Sequence, residues 1–434
     1  MAHPPLLEEL AWRELLYQHT DQLAAALAAG PLTAYCGFDP TGPSLHVGNL
    51  VPVMGLVHLQ RAGHRPIAMV GGGTGLIGDP SGKTVERQLN TREAVEENAR
   101  GIRAQLERFL DFSGPRGAQM RDNAEWLLAL GAIDFMRDVG KHFTVNYMMA
   151  KDSVRSRLES GISYTEFSYM LLQAYDFLEL YRREGATLQI GGSDQWGNIT
   201  AGIELIRRTT GATAHALTFP LLTTAAGTKF GKTEAGAVWL DPDRTSHYAF
   251  YQFWVNTEDR DVGRLLRIFS LASREEIEAL DAETAANPER RAAQQALARE
   301  VTARVRGEDA ARVAGEVSGV LFGKGDVRQL SRAALEALAR EVPTVDAAAP
   351  AATPPDGVPE GALDALDALE LFVSAGLAAS RGAAKRLLEQ GGMNVNGRRL
   401  GPSDRVVRTD ELLHGEWLVL RKGARDFALA HIRL

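Results

Sequence analysis

Two segments of this 434-residue chain combine glycines with cationic side chains, a combination suited to binding phosphate. The first segment carries Lys83 and Arg87, and the second carries Lys229 and Lys232. Cationic side chains can stabilise the negative charge that develops on departing phosphates. One glycine–lysine loop alone would favour a solvated turn. Two such loops in one chain favour a site that handles phosphate.

Neither loop fits a standard nucleotide-binding motif. Residues 73–78 have the G-x-G-x-x-G spacing of a dinucleotide site, but Asp79-Pro80 follows and would break the helix that should receive the pyrophosphate. Ile77 and Ala226 stand where a Walker loop needs glycine. We therefore set aside nicotinamide binding and the Walker fold.

A third segment, 35–50, ends a predicted strand in a Gly/Pro-rich turn, with His46 at the start of a helix predicted to run to about Arg61. Backbone N–H groups at a helix start are unsatisfied and attract phosphate. Gly48 has no side chain and would let a base or ribose lie against the backbone. A lone histidine before a helix is commonly a cap or a surface residue. Together with the two cationic loops, His46 is predicted to contact a nucleotide.

A polar stripe occupies the predicted helix 164–181. Tyr169, Gln173 and Asp176 are spaced by four and three residues, so they share one helix face. The rest of this helix is apolar nearly all round, which predicts burial. Buried polar groups need partners, and a polar ligand would supply them. The stripe is therefore predicted to line a pocket.

The elements that carry these residues alternate. Predicted strands at 32–38, 67–70 and 187–190 are separated by helical patterns such as 92–112. This alternation predicts an α/β fold with a parallel sheet, whose ligands lie at the carboxyl ends of the strands. From about Ser246 to Val342 the pattern is almost wholly helical.

Composition excludes several classes of protein. The chain is 45% hydrophobic and 24% charged with a formal net charge of −7, which excludes a disordered chain and a generally basic nucleic-acid coat. Its one cysteine, Cys36, permits no intrachain disulfide and no cysteine-based metal cluster. Residues 1–8 lack a signal-peptide pattern and no apolar run reaches about 18 residues, so we expect a cytoplasmic protein outside the membrane. The tail, 377–434, is basic, with 11 Lys and Arg against 6 Asp and Glu.

These segments closely resemble the bacterial tyrosyl-tRNA synthetases, a family of class I aminoacyl-tRNA synthetases. Residues 46–49 resemble the HIGH signature, and residues 229–233 resemble the KMSKS signature in its KFGKT form. Two further segments, 145–151 and 188–199, match the family, the second with high specificity. The resemblance covers essentially the whole chain. The tail is similar to an RNA-binding domain shared with a small-subunit ribosomal protein and some pseudouridine synthases.

The resemblance implies roles for individual residues. Tyrosine would be bound at its hydroxyl by Tyr35 and Asp176, at its ammonium group by Asp79, Tyr169 and Gln173, and at its carboxylate by Gln195. ATP or the adenylate would contact Cys36, Gly37, Asp39, His46, Gly48, Asn49, Gly192, Asp194 and Lys232. The residues expected to act on the phosphates are Thr41, His46, Lys83, Arg87, Lys229 and Lys232. No protein metal ligand is implied.

The chain departs from the family pattern at three positions. Asn49 replaces the second histidine of the HIGH signature; it can donate a hydrogen bond to a ribose but cannot become cationic. Phe230 and Gly231 stand where Met and Ser occur in the wider KMSKS consensus, although both lysines are in place.

The implied reaction joins tyrosine to ATP, releasing pyrophosphate, and then transfers tyrosine to the terminal adenosine of tRNA(Tyr). ATP is expected to bind as a substrate accompanied by Mg²⁺, and no tightly bound cofactor is expected. Members of the family are homodimers, so the resemblance also implies a homodimer. RNA contacts are predicted at Lys151, Arg207 and Arg208 and, in the tail, at Arg381, Lys385 and Arg386.

The predicted organisation has five parts: a Rossmann-like parallel-sheet catalytic domain (1–222), a lysine-loop connection (223–245), an α-helical domain on the anticodon side (246–340), a Pro/Ala-rich linker (341–362) and a small α+β RNA-binding domain (363–434). Two alternatives stay open: a non-catalytic RNA-binding protein that kept this fold, and a class I enzyme for another amino acid, with tryptophan nearest. An indole offers no hydroxyl to Tyr35 and Asp176, which favours tyrosine.

Overall fold

The structure is a computed structural model that describes residues 5–81, 89–155, 161–225, 227–228, 230–233, 236–323, 325–348 and 365–433. Contacts divide the chain into two compact units. The first comprises Met1–Thr245 and Phe253–Val305, and the second comprises Ser246–Gln252 and Arg306–Leu434.

A six-stranded sheet forms the centre of the first unit. Its strands are β1 (Gln18–His19), β2 (Thr33–Phe38), β3 (Arg65–Val70), β4 (Gln119–Asp122), β5 (Ala186–Gly192) and β6 (His215–Phe219). The order is β1-β6-β5-β2-β3-β4, and every pair is parallel except the edge pair of β1 and β6. The predicted parallel α/β sheet is confirmed, and the three predicted strands correspond to β2, β3 and β5.

Ten helices accompany this sheet in the described part of the chain: α1 (Leu6–Trp12), α2 (Leu23–Ala29), α3 (Leu50–Arg61), α4 (Arg92–Leu106), α5 (Ala124–Leu127), α6 (Ala132–Asp134), α7 (Val145–Met149), α8 (Asp152–Arg155), α9 (Tyr164–Glu184) and α10 (Trp196–Thr210). All five residues of β6 are buried, as expected of a strand covered on both faces. Helix α9 begins after Ser163, whose side chain accepts a hydrogen bond from the Glu166 N–H, and ends at Gly185, which has φ +67°.

After the sheet, the chain forms a short hairpin of β7 (Lys232–Thr233) and β8 (Gly236–Ala237). The helices α11 (His247–Val255), α12 (Asp259–Phe269), α13 (Arg274–Ala286) and α14 (Ala292–Arg306) follow. The largely helical pattern predicted from Ser246 is thus confirmed.

The second unit combines helices with a mixed sheet. Its further elements are α15 (Glu308–Leu321), α16 (Arg332–Leu338), β9 (Thr344–Ala348), β10 (Ala365–Asp367), α17 (Ala368–Ser374), α18 (Arg381–Glu389), β11 (Met393–Val395), β12 (Arg398–Arg399), β13 (Val406–Arg408), β14 (Trp417–Lys422) and β15 (Asp426–Arg433). The main sheet has the order β12-β11-β14-β15-β9, and β10 pairs with β13. The predicted α+β character of the tail is confirmed.

Alternation along β14 gives this sheet two buried faces. Leu418 and Leu420 belong to a core shared with α17 and α18, whereas Trp417 and Val419 belong to a core shared with α15 and α16. Successive residues of a strand point to opposite faces, so one strand can contribute to both cores.

The segment predicted as a linker, 341–362, contains a strand. Residues Thr344–Ala348 form β9, which pairs in parallel with β15. Val345 and Ala347 pack against the core of the tail, and this apolar contact explains why an Ala-rich segment is ordered here. The prediction of a linker is therefore wrong for these five residues; 349–364 lie outside the described part of the chain.

Candidate active site at the carboxyl ends of β2 and β5

The largest predicted cluster of site residues lies where the connections of the sheet change direction. Chain order runs outward from β2 through β3 to β4, whereas β5 and β6 lie on the other side of β2. Ligands of open parallel sheets bind at such a switch point. A cleft of about 470 Å³ opens there, lined by Tyr35, Cys36, Gly37, Asp39, Thr41, His46, Gly48, Asn49, Asp79, Tyr169, Gln173, Asp176, Gly192, Asp194 and Gln195, among others.

The turn at His46 is built by reciprocal hydrogen bonds. The His46 Nδ1 accepts from the Gly48 N–H at 3.1 Å, and the Asn49 Oδ1 accepts from the His46 N–H at 3.0 Å. A three-residue 3-10 turn follows and continues into α3. Asn49 therefore has a positioning role in this turn that sequence analysis did not predict, because its amide caps the residue on which the turn depends.

The second glycine loop contacts this turn. Gly231 has φ +81°, and a Cβ on it would come within 2.6 Å of Val47 Cγ2 and 3.2 Å of the Gly48 nitrogen. Phe230, beside it, is buried and stacks on Phe269 with ring centroids 5.5 Å apart. The two departures from the KMSKS consensus thus have structural reasons: an aromatic anchor, and a glycine where the chain approaches the His46 turn closely.

The predicted phosphate cations are less fully described. Lys83, Arg87 and Lys229 lie outside the described residues. Lys232 begins β7, and only its backbone is described. The role of all four side chains stays a prediction.

The end of the cleft nearest α9 contains a buried carboxyl group with two donors. Asp176 has no solvent exposure; its Oδ1 accepts from Trp126 Nε1 at 2.7 Å and its Oδ2 from Asn123 Nδ2 at 2.9 Å. The Tyr35 hydroxyl is also fully buried and has no hydrogen-bond partner among the described residues. Buried polar groups without partners are rare and costly, so this hydroxyl indicates a place for a ligand atom.

Burial shifts the pKa values of Asp176 and Tyr35, two titratable groups at this end of the cleft. It raises the pKa of Asp176 to about 8, although the hydrogen bonds from Asn123 and Trp126 oppose the rise. Burial also raises the pKa of the Tyr35 hydroxyl well above its usual range, and the charge of Asp176 adds to that rise. Tyr35 is therefore a neutral hydroxyl group at physiological pH, able to donate and to accept.

Amide and carboxylate groups form the next part of the cleft. Gln195 Nε2 donates to Asp79 Oδ2 at 2.6 Å, and Gln173 Nε2 donates to Gln195 Oε1 at 3.2 Å. The Tyr169 hydroxyl donates to Asp39 Oδ2 at 2.7 Å. Oxygen acceptors and amide donors thus lie side by side, which is the polarity needed to bind an ammonium group and a carboxylate of one small molecule.

Thr74 connects the two ends of the cleft. Its hydroxyl donates to Asp39 Oδ1 at 2.6 Å and accepts from Asn123 Nδ2 at 2.9 Å. A Cβ on Gly71 would lie only 2.0 Å from Asp39 Oδ1 and 2.4 Å from Thr74 Oγ1. The glycine run after β3 therefore serves the close packing of this network. Within the described residues, the run is followed by the three-residue 3-10 turn Thr74–Leu76.

Sequence analysis missed several residues of the cleft or its support. Four of them are Thr74, Asn123, Trp126 and Gln189, and the last has a buried side-chain oxygen without a partner among the described residues. Gln189 could have been predicted, because pairing the two parallel strands β2 and β5 places it directly beside Tyr35. Asn123 and Trp126 gave no signal, since they belong to a short segment without a periodic pattern.

The residues predicted to contact RNA differ in their surroundings. Arg207 and Arg208 both pair with Glu204, and the hydrogen bond from Arg207 is the main cause that lowers the pKa of Glu204 to about 2. Lys151 donates to Thr200 at 3.1 Å.

In the tail, Arg381 pairs with Asp367 at 2.6 Å. Lys385 and Arg386 are exposed on α18, and no acidic partner for them is found among the described residues. These two side chains are the most available of the predicted RNA contacts.

Comparison with family models places the fold and the cleft in one class of enzyme. The model described as "tRNA synthetases class I (W and Y)" matches residues 27–323. A second, "Tyrosine--tRNA ligase SYY-like C-terminal domain", matches residues 352–430. The first unit therefore has the class I tRNA synthetase fold.

Curated relatives are similar over the whole chain. The chain is 55% identical to the tyrosine--tRNA ligase of Anaeromyxobacter dehalogenans, with 99% of each chain covered, and 53% identical to that of Bacillus caldotenax, with 98% of this chain and 99% of the relative covered. Among solved structures, a C-terminally truncated mitochondrial tyrosyl-tRNA synthetase of Aspergillus nidulans matches with a TM-score of 0.67 and 29% identity, over 74% of this chain and 95% of the other. The chain belongs to the tyrosine--tRNA ligases.

Proposed function

We propose that this chain activates L-tyrosine with ATP and transfers it to tRNA(Tyr), acting as a tyrosine--tRNA ligase. One observation carries the choice of amino acid: the fully buried Tyr35 hydroxyl, without a partner among the described residues, beside the buried carboxyl group of Asp176. A phenolic hydroxyl would pair with both groups. Phenylalanine or tryptophan would leave the Tyr35 hydroxyl without a partner and offer Asp176 no hydroxyl donor, at a cost that makes such sites strongly selective.

The remaining cleft residues are proposed to hold the rest of the amino acid. Asp79, Tyr169 and Gln173 bind its ammonium group, and Gln195 donates an amide N–H to its carboxylate. Tyrosine is thereby fixed at three points, which leaves its carboxylate to face the nucleotide. Such alignment supplies a large part of the rate in reactions between two bound substrates.

The nucleotide is proposed to occupy the half of the cleft nearest His46. Glycines at 48 and 192 allow close approach to the backbone. The adenosine part contacts Cys36, Gly37, Asp39, Gly48, Asn49, Gly192 and Asp194, with Thr41 and His46 beside the phosphates. Four cations, Lys83, Arg87, Lys229 and Lys232, are proposed to surround the β- and γ-phosphates.

In the first step, an oxygen of the tyrosine carboxylate attacks the α-phosphorus of ATP, and the bond to the bridging oxygen of pyrophosphate breaks. In the second, a hydroxyl group of the terminal adenosine of tRNA attacks the carbonyl carbon, and AMP leaves. Both nucleophiles belong to substrates, so the chain's residues align the reactants and offset the charge on the departing group.

Magnesium is proposed only as a companion of ATP. Within the described part of the chain, no three His, Cys, Asp or Glu side chains come together in a way that could hold a metal ion.

The RNA partner is proposed to contact the exposed Lys385 and Arg386 of α18, with Arg381, Lys151, Arg207 and Arg208 as further contacts. Cations on one helix face suit recognition of RNA by its backbone. A cytoplasmic location is proposed from the function in translation. Separately, no helix that the structure describes has the length and apolar character to span a membrane.

A homodimer is proposed from the distribution of exposed apolar side chains. Of the eleven large hydrophobic side chains found exposed among the described residues, six fall between positions 128 and 164: Leu128, Ile133, Met136, Val145, Met149 and Tyr164. Clustered exposed apolar groups indicate a protein interface. A second copy of the chain is the proposed occupant.

The direct test is aminoacylation of a tRNA(Tyr) transcript with labelled tyrosine, phenylalanine and tryptophan in separate reactions. We expect charging with tyrosine and about background with the other two. Charging with tryptophan in preference to tyrosine would refute the assigned pocket. Amino-acid activation without charging of any tRNA would refute the second step.

A further inference from the structure

A closed ring of hydrogen bonds connects the groups proposed to bind the ammonium and carboxylate of tyrosine. Gln195 Nε2 donates to Asp79 Oδ2 at 2.6 Å, Gln173 Nε2 donates to Gln195 Oε1 at 3.2 Å, and Asn198 Nδ2 donates to Gln173 Oε1 at 2.9 Å. The ring closes through Ser81, whose hydroxyl accepts from Asn198 at 3.3 Å and whose N–H donates to Asp79 Oδ1 at 2.9 Å. Asn198 and Ser81 are the members of this ring with no role assigned above, and of the two Asn198 contacts a glutamine amide directly.

The series of side chains from Asn198 through Gln173 and Gln195 to Asp79 has one consistent direction of hydrogen-bond donation. The oxygen and nitrogen of a side-chain amide have nearly the same shape, so their orientation must follow from their partners. A carboxylate only accepts, so Asp79 requires the Gln195 amide to present its nitrogen. Gln195 then presents its oxygen to Gln173, and Gln173 presents its oxygen to Asn198. The series ends correctly only if the group at position 198 donates.

This direction determines what the two glutamines can offer a substrate. Each amide nitrogen carries two hydrogens, so Gln195 keeps one N–H after donating to Asp79, and that N–H suits a carboxylate. The Gln173 oxygen has a second lone pair after accepting from Asn198, and that lone pair suits an ammonium group. Reversal of both amides would place oxygen against a carboxylate and N–H against an ammonium group, and both contacts would be repulsive.

We propose that Asn198 is a positioning residue that sets the orientation of the Gln173 and Gln195 amides for binding tyrosine. This role rests on the proposed function, because it needs Gln173 and Gln195 to contact the amino acid. Asn198 itself is 3% exposed and lies in the first turn of α10, directly after the turn that carries Gln195. One short segment therefore carries both Gln195, whose amide is proposed to contact the substrate carboxylate, and Asn198, which is proposed to orient that amide.

The sharpest test is Asn198→Asp, which keeps the shape and replaces the donor with an acceptor. With an ionised carboxylate at 198, the KM for tyrosine in ATP–pyrophosphate exchange should rise about tenfold or more at pH 8, since a charged group then faces the Gln173 oxygen. The KM for ATP should stay within about twofold. Direct titration with tyrosine should give the same loss of affinity, without dependence on turnover.

Lowering the pH supplies a readout that a purely structural role would not produce. A protonated aspartic acid can donate, so the defect of Asn198→Asp relative to the unchanged chain should shrink as the pH falls. Burial and the like charge of Asp79 would both raise the pKa of the introduced carboxyl group, which brings this recovery into an accessible range. The cationic Lys151, which lies against Gly197 and Thr200 of α10, would act in the opposite sense and lower that pKa.

Asn198→Ala is the matched control. It removes the donor without adding an acceptor, so we expect a smaller rise in the KM for tyrosine that does not change with pH. Equal and pH-independent defects in the two variants, or an unchanged KM in both, would overturn the proposal. Unfolding of both variants would also overturn it, since Asn198 would then be a structural residue. Failure of the unchanged chain to exchange with tyrosine would instead refute the proposed function, and this inference with it.

Discussion

At the scale of single residues, the hydroxyl group of Tyr35 marks the end of the cleft that is proposed to select the amino acid. It is fully buried, has no partner among the described residues and lies in the electrostatic reach of Asp176. Asp176 in turn is held by Asn123 and Trp126, so its two oxygens are fixed before any ligand arrives. The proposed selection of a phenol therefore depends on two side chains, Tyr35 and Asp176, that are held in place before binding.

Tyr35→Phe should lower the preference for tyrosine over phenylalanine. A neutral hydrogen bond contributes roughly 0.5–1.5 kcal/mol, so the ratio of the two kcat/KM values should fall about 2- to 12-fold. Pyrophosphate exchange with each amino acid measures this ratio. Tyr175→Phe, on the same helix as Asp176 but only partly buried, is the control and should leave the ratio unchanged. An equal effect of both variants would contradict the assignment of Tyr35.

Tyrosine binding should tighten as the pH rises toward 8. Burial raises the pKa of Asp176 to about 8, so the free protein holds this group mainly protonated at lower pH. The substrate hydroxyl donates to the ionised form, so binding favours proton release. Because affinity scales with the fraction of the competent form, the Kd should fall roughly tenfold between pH 6.5 and 8. Calorimetry in two buffers measures both the Kd for tyrosine and the number of protons released on binding. Asp176→Asn should abolish the dependence of the Kd on pH.

Sequence reasoning reached part of this site from physical pattern alone. The four- and three-residue spacing of Tyr169, Gln173 and Asp176 placed them on one face of a buried helix, and the structure confirms that all three are buried. Their substrate roles came from the family resemblance and stay proposals. Asn123 and Thr74 could not be found, because their contacts join segments about 50 residues apart and no local pattern records them.

At the scale of elements, glycines control how closely loops approach each other. Gly231 packs onto Val47 and Gly48, and Gly71 packs onto Asp39 and Thr74. A glycine pattern in the sequence indicates such an approach without naming the partner. For this reason the glycine spacing of 73–78 resembles a dinucleotide site, and only the following Asp79-Pro80 argues against one in the sequence.

Gly231→Ala should slow formation of the adenylate and leave the Kd for tyrosine nearly unchanged. The added Cβ would push the lysine loop away from the His46 turn. Gly227→Ala is a well-matched control, since Gly227 has nearly the same φ, +79°, but an added Cβ there would meet no atom within 4 Å. Stopped-flow measurement of the rate of adenylate formation in the two variants separates the effect of contact with the His46 turn from the effect of backbone strain. If both variants slow equally, strain and not contact with the turn is responsible.

The linker shows a limit of composition as a guide. Residues 341–362 are rich in proline and alanine, which favours an unstructured connection. Yet Thr344–Ala348 forms β9, because β15 presents a free edge and the partly buried side chains of Val345 and Ala347 pack against the core. Pairing with a strand some 85 residues further on leaves no local trace in the sequence.

At the scale of the whole molecule, the proposed homodimer rests on the apolar side chains exposed between 128 and 164. Tyr164→Asp should convert the proposed homodimer to a monomer, because a charge would be buried in the interface. Tyr164 is 75% exposed, and Tyr17, at 63%, provides the control as Tyr17→Asp. Sedimentation velocity over a range of concentrations measures the change. A monomeric unchanged chain, or equal behaviour of both variants, would contradict the proposed dimer.

The most direct test of the central claim is ATP–pyrophosphate exchange by the purified chain without tRNA, with tyrosine, phenylalanine and tryptophan supplied separately. Exchange isolates the first step and depends on the amino-acid pocket, so it tests the catalytic cleft and its selectivity together. Exchange with tyrosine and not with the other two is the predicted result. Absence of exchange with any of them in folded protein, or exchange with tryptophan instead of tyrosine, would contradict it.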